Sequence, residues 1–167
     1  MATTDAFLRD IVDLVYDNNI RQLTPITDYR RDIGEGRILY SCKHLAAGLE
    51  ADAPGTIKAD CVLKIKMQVG PRENSPDETR PIPGPSETTK AELEALTTFR
   101  DSNIANVPHL VSTMQRTQGE LGPFPGGYVS YTVMSKMPGD NLMDLAFWSM
   151  PDEKRETIRA AFLSVLK

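Results

Sequence analysis

The sequence predicts an α+β protein: an antiparallel sheet of five strands with one acidic helix, a further helix ahead of the sheet and the start of a helical region after it. Three observations carry this. Cys61-Val62-Leu63-Lys64-Ile65-Lys66 is an alternating, strand-like run. Two β-rich stretches, 107–115 and 128–134, flank a Gly/Pro-rich connection and read as an antiparallel pair. Elsewhere apolar residues recur at helical spacing, most clearly near both ends of the chain.

Taken in order, the first element is a helix over 5–17, with Phe7, Ile11, Leu14 and Val15 on one stripe, Thr3 or Thr4 as cap and Asn18-Asn19 as its end. Its expected role is packing, over the face formed by Cys61, Leu63 and Ile65. Strands are expected near 29–33, 37–44, 59–68, 109–116 and 128–135. Gly34-Glu35-Gly36 makes a turn ahead of Ile38-Leu39-Tyr40, and 46–58 reads as a long hairpin connection. Residues 69–89 are rich in Pro, Gly, Glu and Ser and are expected to be a flexible insertion, too polar to offset the cost of ordering. A helix follows over 90–99, with Leu93, Leu96 and Phe99 on one side and Glu92 and Glu94 among its acids. Ser135 to Leu142 reads as a strand–turn–helix junction with Pro138-Gly139 at the turn. The last helix starts at Ser149 or Met150, has Pro and acids in its first turn, and carries an apolar stripe of Ile158, Phe162, Val165 and Leu166.

The residue that asks for an explanation is Lys64. Alternation puts Cys61, Leu63, Ile65 and Met67 on one face of their strand, and Val62, Lys64, Lys66 and Gln68 on the other. A partly buried ammonium is costly unless an anion meets it. The competing interpretation is a lysine on a solvated sheet face, and exposed helical glutamates such as Glu92 and Glu94 are equally commonplace.

The run around Lys64 resembles the V-A-I-K strand of protein kinases. The helix with Glu92-Leu93, Leu96 and Phe99, followed by Asn103-Ile104, resembles the kinase helix that carries the lysine's glutamate partner. Val133-Met134, Gly139 and Leu142 resemble the kinase hinge, and the last helix resembles the first long helix of the large lobe in the fungal, aminoglycoside-phosphotransferase-like branch. The resemblance covers residues from about 30 onward. It implies a kinase-like small lobe over 29–137, preceded by a helical extension over 1–28 and followed by an incomplete large lobe over 138–167. It further implies an adenine-nucleotide site, with ATP as the ligand. Lys64 and Val62 would face the nucleotide, Glu92 would pair with Lys64 (with Glu94 as the fallback), and Gly34 and Gly36 would lie in the phosphate loop. Met134 would be the gatekeeper, with the Ser135 carbonyl and the Met137 N–H meeting adenine. Two positions depart from the family pattern: Leu39 stands at the third loop glycine, and Ser135 where glutamate is frequent.

The family's catalytic H-R-D loop and metal-binding D-F-G are not present in these residues. His44 and His109 are the only histidines, and neither is followed by an Asp. No catalytic residue or metal ligand is therefore nominated; Mg²⁺ belongs only to a full-length parent, and the phosphate acceptor stays open. The expectation is the ATP-binding part of a C-terminally truncated kinase-like phosphotransferase, inactive by itself and binding nucleotide weakly. The alternatives are a non-catalytic pseudokinase-like fragment and an α+β interaction module in which Lys64 and Glu92 never meet. Nineteen Lys and Arg against 23 Asp and Glu give a net charge of −4, which argues against nucleic-acid and anionic-membrane partners. No apolar run is long enough to span a bilayer and no secretory segment opens the chain, so a cytoplasmic protein is expected. Cys42 and Cys61 read as small core residues of a reduced protein, and with only two histidines they make no zinc site. The stripe on the last helix is expected to lack cover and to favour self-association.

Overall fold

In a computed structural model, the chain is described over residues 20–31, 34–45, 58–70 and 80–165. The strand bearing Lys64 runs from Lys58 to Gln68 and is central to a six-stranded antiparallel sheet. We label the strands β1 (Ile20–Pro25), β2 (Arg30–Arg31), β3 (Glu35–Leu45), β4 (Lys58–Gln68), β5 (Leu110–Thr117) and β6 (Tyr128–Ser135). Their order across the sheet is β1-β3-β4-β6-β5, with β2 also paired to β3. Helix α1 (Glu87–Asp101) lies between β4 and β5 in sequence, and helix α2 (Asp152–Val165) follows a 3₁₀ turn at Phe147–Ser149. The chain divides into two units, one of residues 1–104 and 108–136, the other of 105–107 and 137–167.

The α+β class holds, with one more strand than the sequence predicted. Ile20–Pro25, assigned by sequence to a helical extension, is a strand on β3, while the strand expected at 29–33 is only Arg30–Arg31. The register of β1 on β3 shifts between Arg21 and Thr24, and in the bend between β1 and β2 the Ile26 and Thr27 N–H groups both donate to the Leu39 carbonyl, at 2.9 and 3.4 Å. The helix expected over 5–17 lies outside the described residues.

Alternation sorts the sheet into two faces, as β4 foretold. Cys42, Cys61, Leu63, Ile65, Met67, Val129, Tyr131 and Val133 form one buried cluster, with Ile38, Tyr40 and Met114 packed against it. Cys42 and Cys61 are direct cross-strand partners, both buried and both free thiols. Burial, reinforced by the neighbouring Cys61, pushes the Cys42 thiol up to about 12, so it packs as a small hydrophobe.

The opposite face is polar, and α1 covers it. The helix starts three residues earlier than the periodicity suggested, because Ser86 caps it by accepting a hydrogen bond from the Thr89 N–H at 3.3 Å. Glu87 in the first turn and Arg100 in the last suit the helix dipole. Part of the expected flexible insertion is thus ordered. The side chain of Gln68 grips its described end, donating to the Arg80 carbonyl at 3.0 Å and accepting from the Ile82 N–H at 2.8 Å. The β5–β6 connection is held in the same manner. Buried Gln118 donates to the Gln68 and Tyr128 carbonyls and accepts from the Phe124 N–H, which leaves no buried amide unpaired there.

In the second unit, Asp152 and Glu153 occupy the first turn of α2. Phe147 meets Trp148 edge-to-face at 5.2 Å, and the Arg159 guanidinium lies 5.9 Å from the Phe147 ring. Of the predicted α2 stripe, Ile158 is half-buried and Phe162 exposed; the Val165 side chain and Leu166 lie outside the described residues.

Candidate functional site: a lysine–glutamate cluster beneath helix α1

Position 64 of β4 faces α1, and six residues after the Ser86 cap, nearly two turns on, the helix aims Glu92 back at the sheet. Lys64 Nζ donates to Glu92 Oε1 at 2.6 Å. Lys64 and Glu92 meet, as the spacing of the motifs predicted, and Glu94 sits exposed on α1. What the sequence did not reveal is that Lys66 takes the other carboxylate oxygen: its Nζ lies 3.1 Å from Glu92 Oε2 and 3.5 Å from Glu35 Oε1. Side-chain exposure is 18% for Lys64, 27% for Glu92, 9% for Lys66 and 16% for Glu35, so these are ion pairs largely withdrawn from water.

Glu35 is the second unforeseen member. Its Oε2 accepts hydrogen bonds from Tyr128 Oη at 2.8 Å, Ser86 Oγ at 2.8 Å and Thr89 Oγ1 at 3.2 Å. The residue between the two glycines thereby ties the β3 edge to the N-terminus of α1 and to β6. Gly34 has the positive φ, 68°, that the turn needs. Gly36 is already within β3, opposite Met67, where a β-carbon would run into the Tyr29 ring. A signal for both missed residues was available. Alternation places Lys66 on the same face as Lys64, and two lysines on one covered face require two anions.

The electrostatics follow from the packing. Burial alone would raise the Glu92 pKa, but the hydrogen bonds and charges of Lys64 and then Lys66 outweigh it and hold the carboxyl below its ordinary value. Tyr128 is pushed well above the usual phenol value by burial first, then by its hydrogen bond to Glu35 and that carboxylate's charge. It remains a protonated donor.

Beside Lys64 the face turns apolar. Val62 pairs with Met134 across β4 and β6, and Leu39 pairs with Lys64 across β3 and β4, all three half-buried. The structure therefore brings Lys64, Glu92, Val62 and Met134 onto one face. Ser135 has the other parity, opposite Cys61. Its N–H donates to the His109 carbonyl at 3.0 Å, and its Oγ accepts from the His109 N–H at 2.9 Å. Met137 belongs to the second unit. Among the described residues, no three His, Cys, Asp or Glu side chains are grouped to hold a metal ion, and no helix is long and apolar enough to cross a membrane.

No family model, curated protein or solved structure matches this chain.

Proposed function

We propose that the chain is the nucleotide-facing part of a protein-kinase-like phosphotransferase, binding the phosphates of ATP at Lys64. The single observation that carries this is the 2.6 Å contact between Lys64 on the central strand and Glu92 on helix α1. Supporting it are the strand order β1-β3-β4-β6-β5 and the position of α1 between β4 and β5 in the chain. A lysine held by a carboxylate is fixed in position and kept charged, which is what a phosphate ligand requires. Val62, Leu39 and Met134 offer a half-buried apolar surface beside it, of the kind a purine ring covers. When bound, ATP would supply the transferable phosphoryl group; no residue here is assigned to magnesium or to a catalytic base.

Calorimetric titration of the purified chain with ATP and ADP tests this. Weak binding is expected, and Lys64→Met should reduce it about ten-fold, the loss of one charge-assisted hydrogen bond. No adenine-nucleotide binding, or binding indifferent to Lys64→Met, would remove the proposal. Phosphoryl transfer by these 167 residues, abolished by Lys64→Met, would instead overturn their assignment as inactive alone.

The second unit favours a protein-contact role in addition. Phe162 and Leu163 on α2 are 64% and 58% exposed, and Trp148 and Met143 are exposed as well. Self-association through α2 is proposed: sedimentation should show mass rising with concentration, and Phe162→Ser with Leu163→Ser should shift it toward monomer. A wild-type chain that stays monomeric at every concentration refutes it.

A further inference from the structure

The charges beneath α1 cancel. Lys64 and Lys66 are matched by Glu92 and Glu35, so the cluster is neutral as a whole, and a net positive charge to draw a polyanion toward Lys64 has to come from beside it. Two more cations stand on the same sheet face. Arg30 of β2 lies directly opposite Arg37 of β3, and Arg37 lies directly opposite Lys66 of β4. Cross-strand partners project to the same side. Arg30, Arg37 and Lys66 thus make one row across three strands, with Leu39 and Lys64 in the next row.

Arg30 and Arg37 are both exposed. Among the described residues no carboxylate lies within ion-pair distance of either. Like charges directly opposite one another destabilise an antiparallel pair. A pair of guanidinium groups is also the arrangement that grips phosphate oxygens two at a time. The row is therefore a cost to the empty fold and an asset to one holding an anion. Adjacent rows are two residues apart, about 7 Å of extended strand. A single phosphate sits on one row, whereas linked phosphates span from the arginines toward Lys64.

We propose that Arg30 and Arg37, together with Lys64, form a binding site for a polyphosphate chain of two or more linked phosphates. Its assignment to the tail of a nucleotide rests on the function proposed above; the site itself does not.

The test is calorimetry on the full chain at fixed ionic strength, with four probes: inorganic tripolyphosphate, orthophosphate, ATP and adenosine. Tripolyphosphate should bind at least about ten-fold more tightly than orthophosphate. Arg30→Gln and Arg37→Gln should each weaken tripolyphosphate and ATP by about ten-fold, one charge-assisted contact each, and leave adenosine unchanged. Thermal melts of the ligand-free variants should be no lower than wild type, because each removes a repulsion; this separates lost binding from lost folding. Tripolyphosphate that fails to bind, or that binds both arginine variants as well as wild type, overturns the site. ATP binding that needs Lys64 but neither arginine overturns it while sparing the nucleotide proposal. Arginine-dependent tripolyphosphate binding with no gain from adenosine supports the site and removes the nucleotide.

Discussion

Glu92→Gln is expected to cost about 2–3 kcal/mol of folding stability at neutral pH, with the loss disappearing in acid. One carboxylate serves two lysines, at 2.6 Å and 3.1 Å. An amide of the same shape leaves the Lys64 ammonium without its compensating charge, and leaves buried Lys66 with only Glu35 at 3.5 Å. Removing one partner of a fully buried pair costs roughly 3–5 kcal/mol, and the partial exposure of Glu92 brings the expectation below that. The pH dependence has a fixed sign. Folding lowers the Glu92 pKa from its ordinary 4.5, so the folded chain favours the ionised form. The contribution is complete above 4.5 and is lost as pH falls through the lowered folded value. Urea unfolding of wild type and Glu92→Gln should give midpoints far apart at neutral pH and converging in acid. Lys64→Met should cost less than Glu92→Gln, since Lys66 still holds the carboxylate. A gap that persists unchanged into acid, or equal costs for the two variants, would show that the cluster does not stabilise the fold by charge.

Much of this arrangement was legible in the sequence because it is written in periods. The two-residue alternation from Cys61 to Gln68 separated the core face from the lysine face, and the resemblance of Glu92-Leu93, Leu96 and Phe99 to the kinase helix singled out Glu92 as the partner of Lys64. What escaped had no period. Ile20–Pro25 has only Ile20 and Leu23 as apolar residues and ends in proline, so its place in the sheet comes from pairing with β3 and not from its own pattern. The early start of α1 depends on Ser86, a single capping residue inside a Pro/Gly-rich stretch. Lys66 looked like one more polar-face residue, because burial depends on a helix 21 or more positions away in sequence closing over it. Glu35, flanked by glycines, read as turn chemistry, yet its partners Ser86 and Tyr128 are 51 and 93 positions distant. Contacts of that range are set by topology, which local spacing does not encode.

Glu35→Ala is expected to be the most damaging change of a single residue on the polar face, at about 2–4 kcal/mol. The carboxylate accepts from Tyr128, Ser86 and Thr89 through one oxygen, and the other lies 3.5 Å from Lys66. Truncation leaves the Tyr128 hydroxyl and the Lys66 ammonium short of an acceptor in places where water is scarce, and each such loss carries a desolvation cost. Tyr128→Phe removes only one of these hydrogen bonds, so about 1 kcal/mol is expected for it. Glu35→Gln should fall between the two, because an amide oxygen still accepts from the hydroxyls but offers Lys66 no charge. The consequences should spread beyond stability. Ser86 and Thr89 belong to the cap and first turn of α1, and Glu92 is one turn further on. Loosening the cap should therefore raise amide exchange over the first half of α1 and weaken any ligand that depends on Lys64, even though Glu35 is not expected to touch it. Unfolding and hydrogen exchange on Glu35→Ala, Glu35→Gln and Tyr128→Phe provide the comparison. If Glu35→Ala costs no more than Tyr128→Phe, and exchange in α1 stays at the wild-type rate, then Glu35 does not couple the glycine turn to the helix.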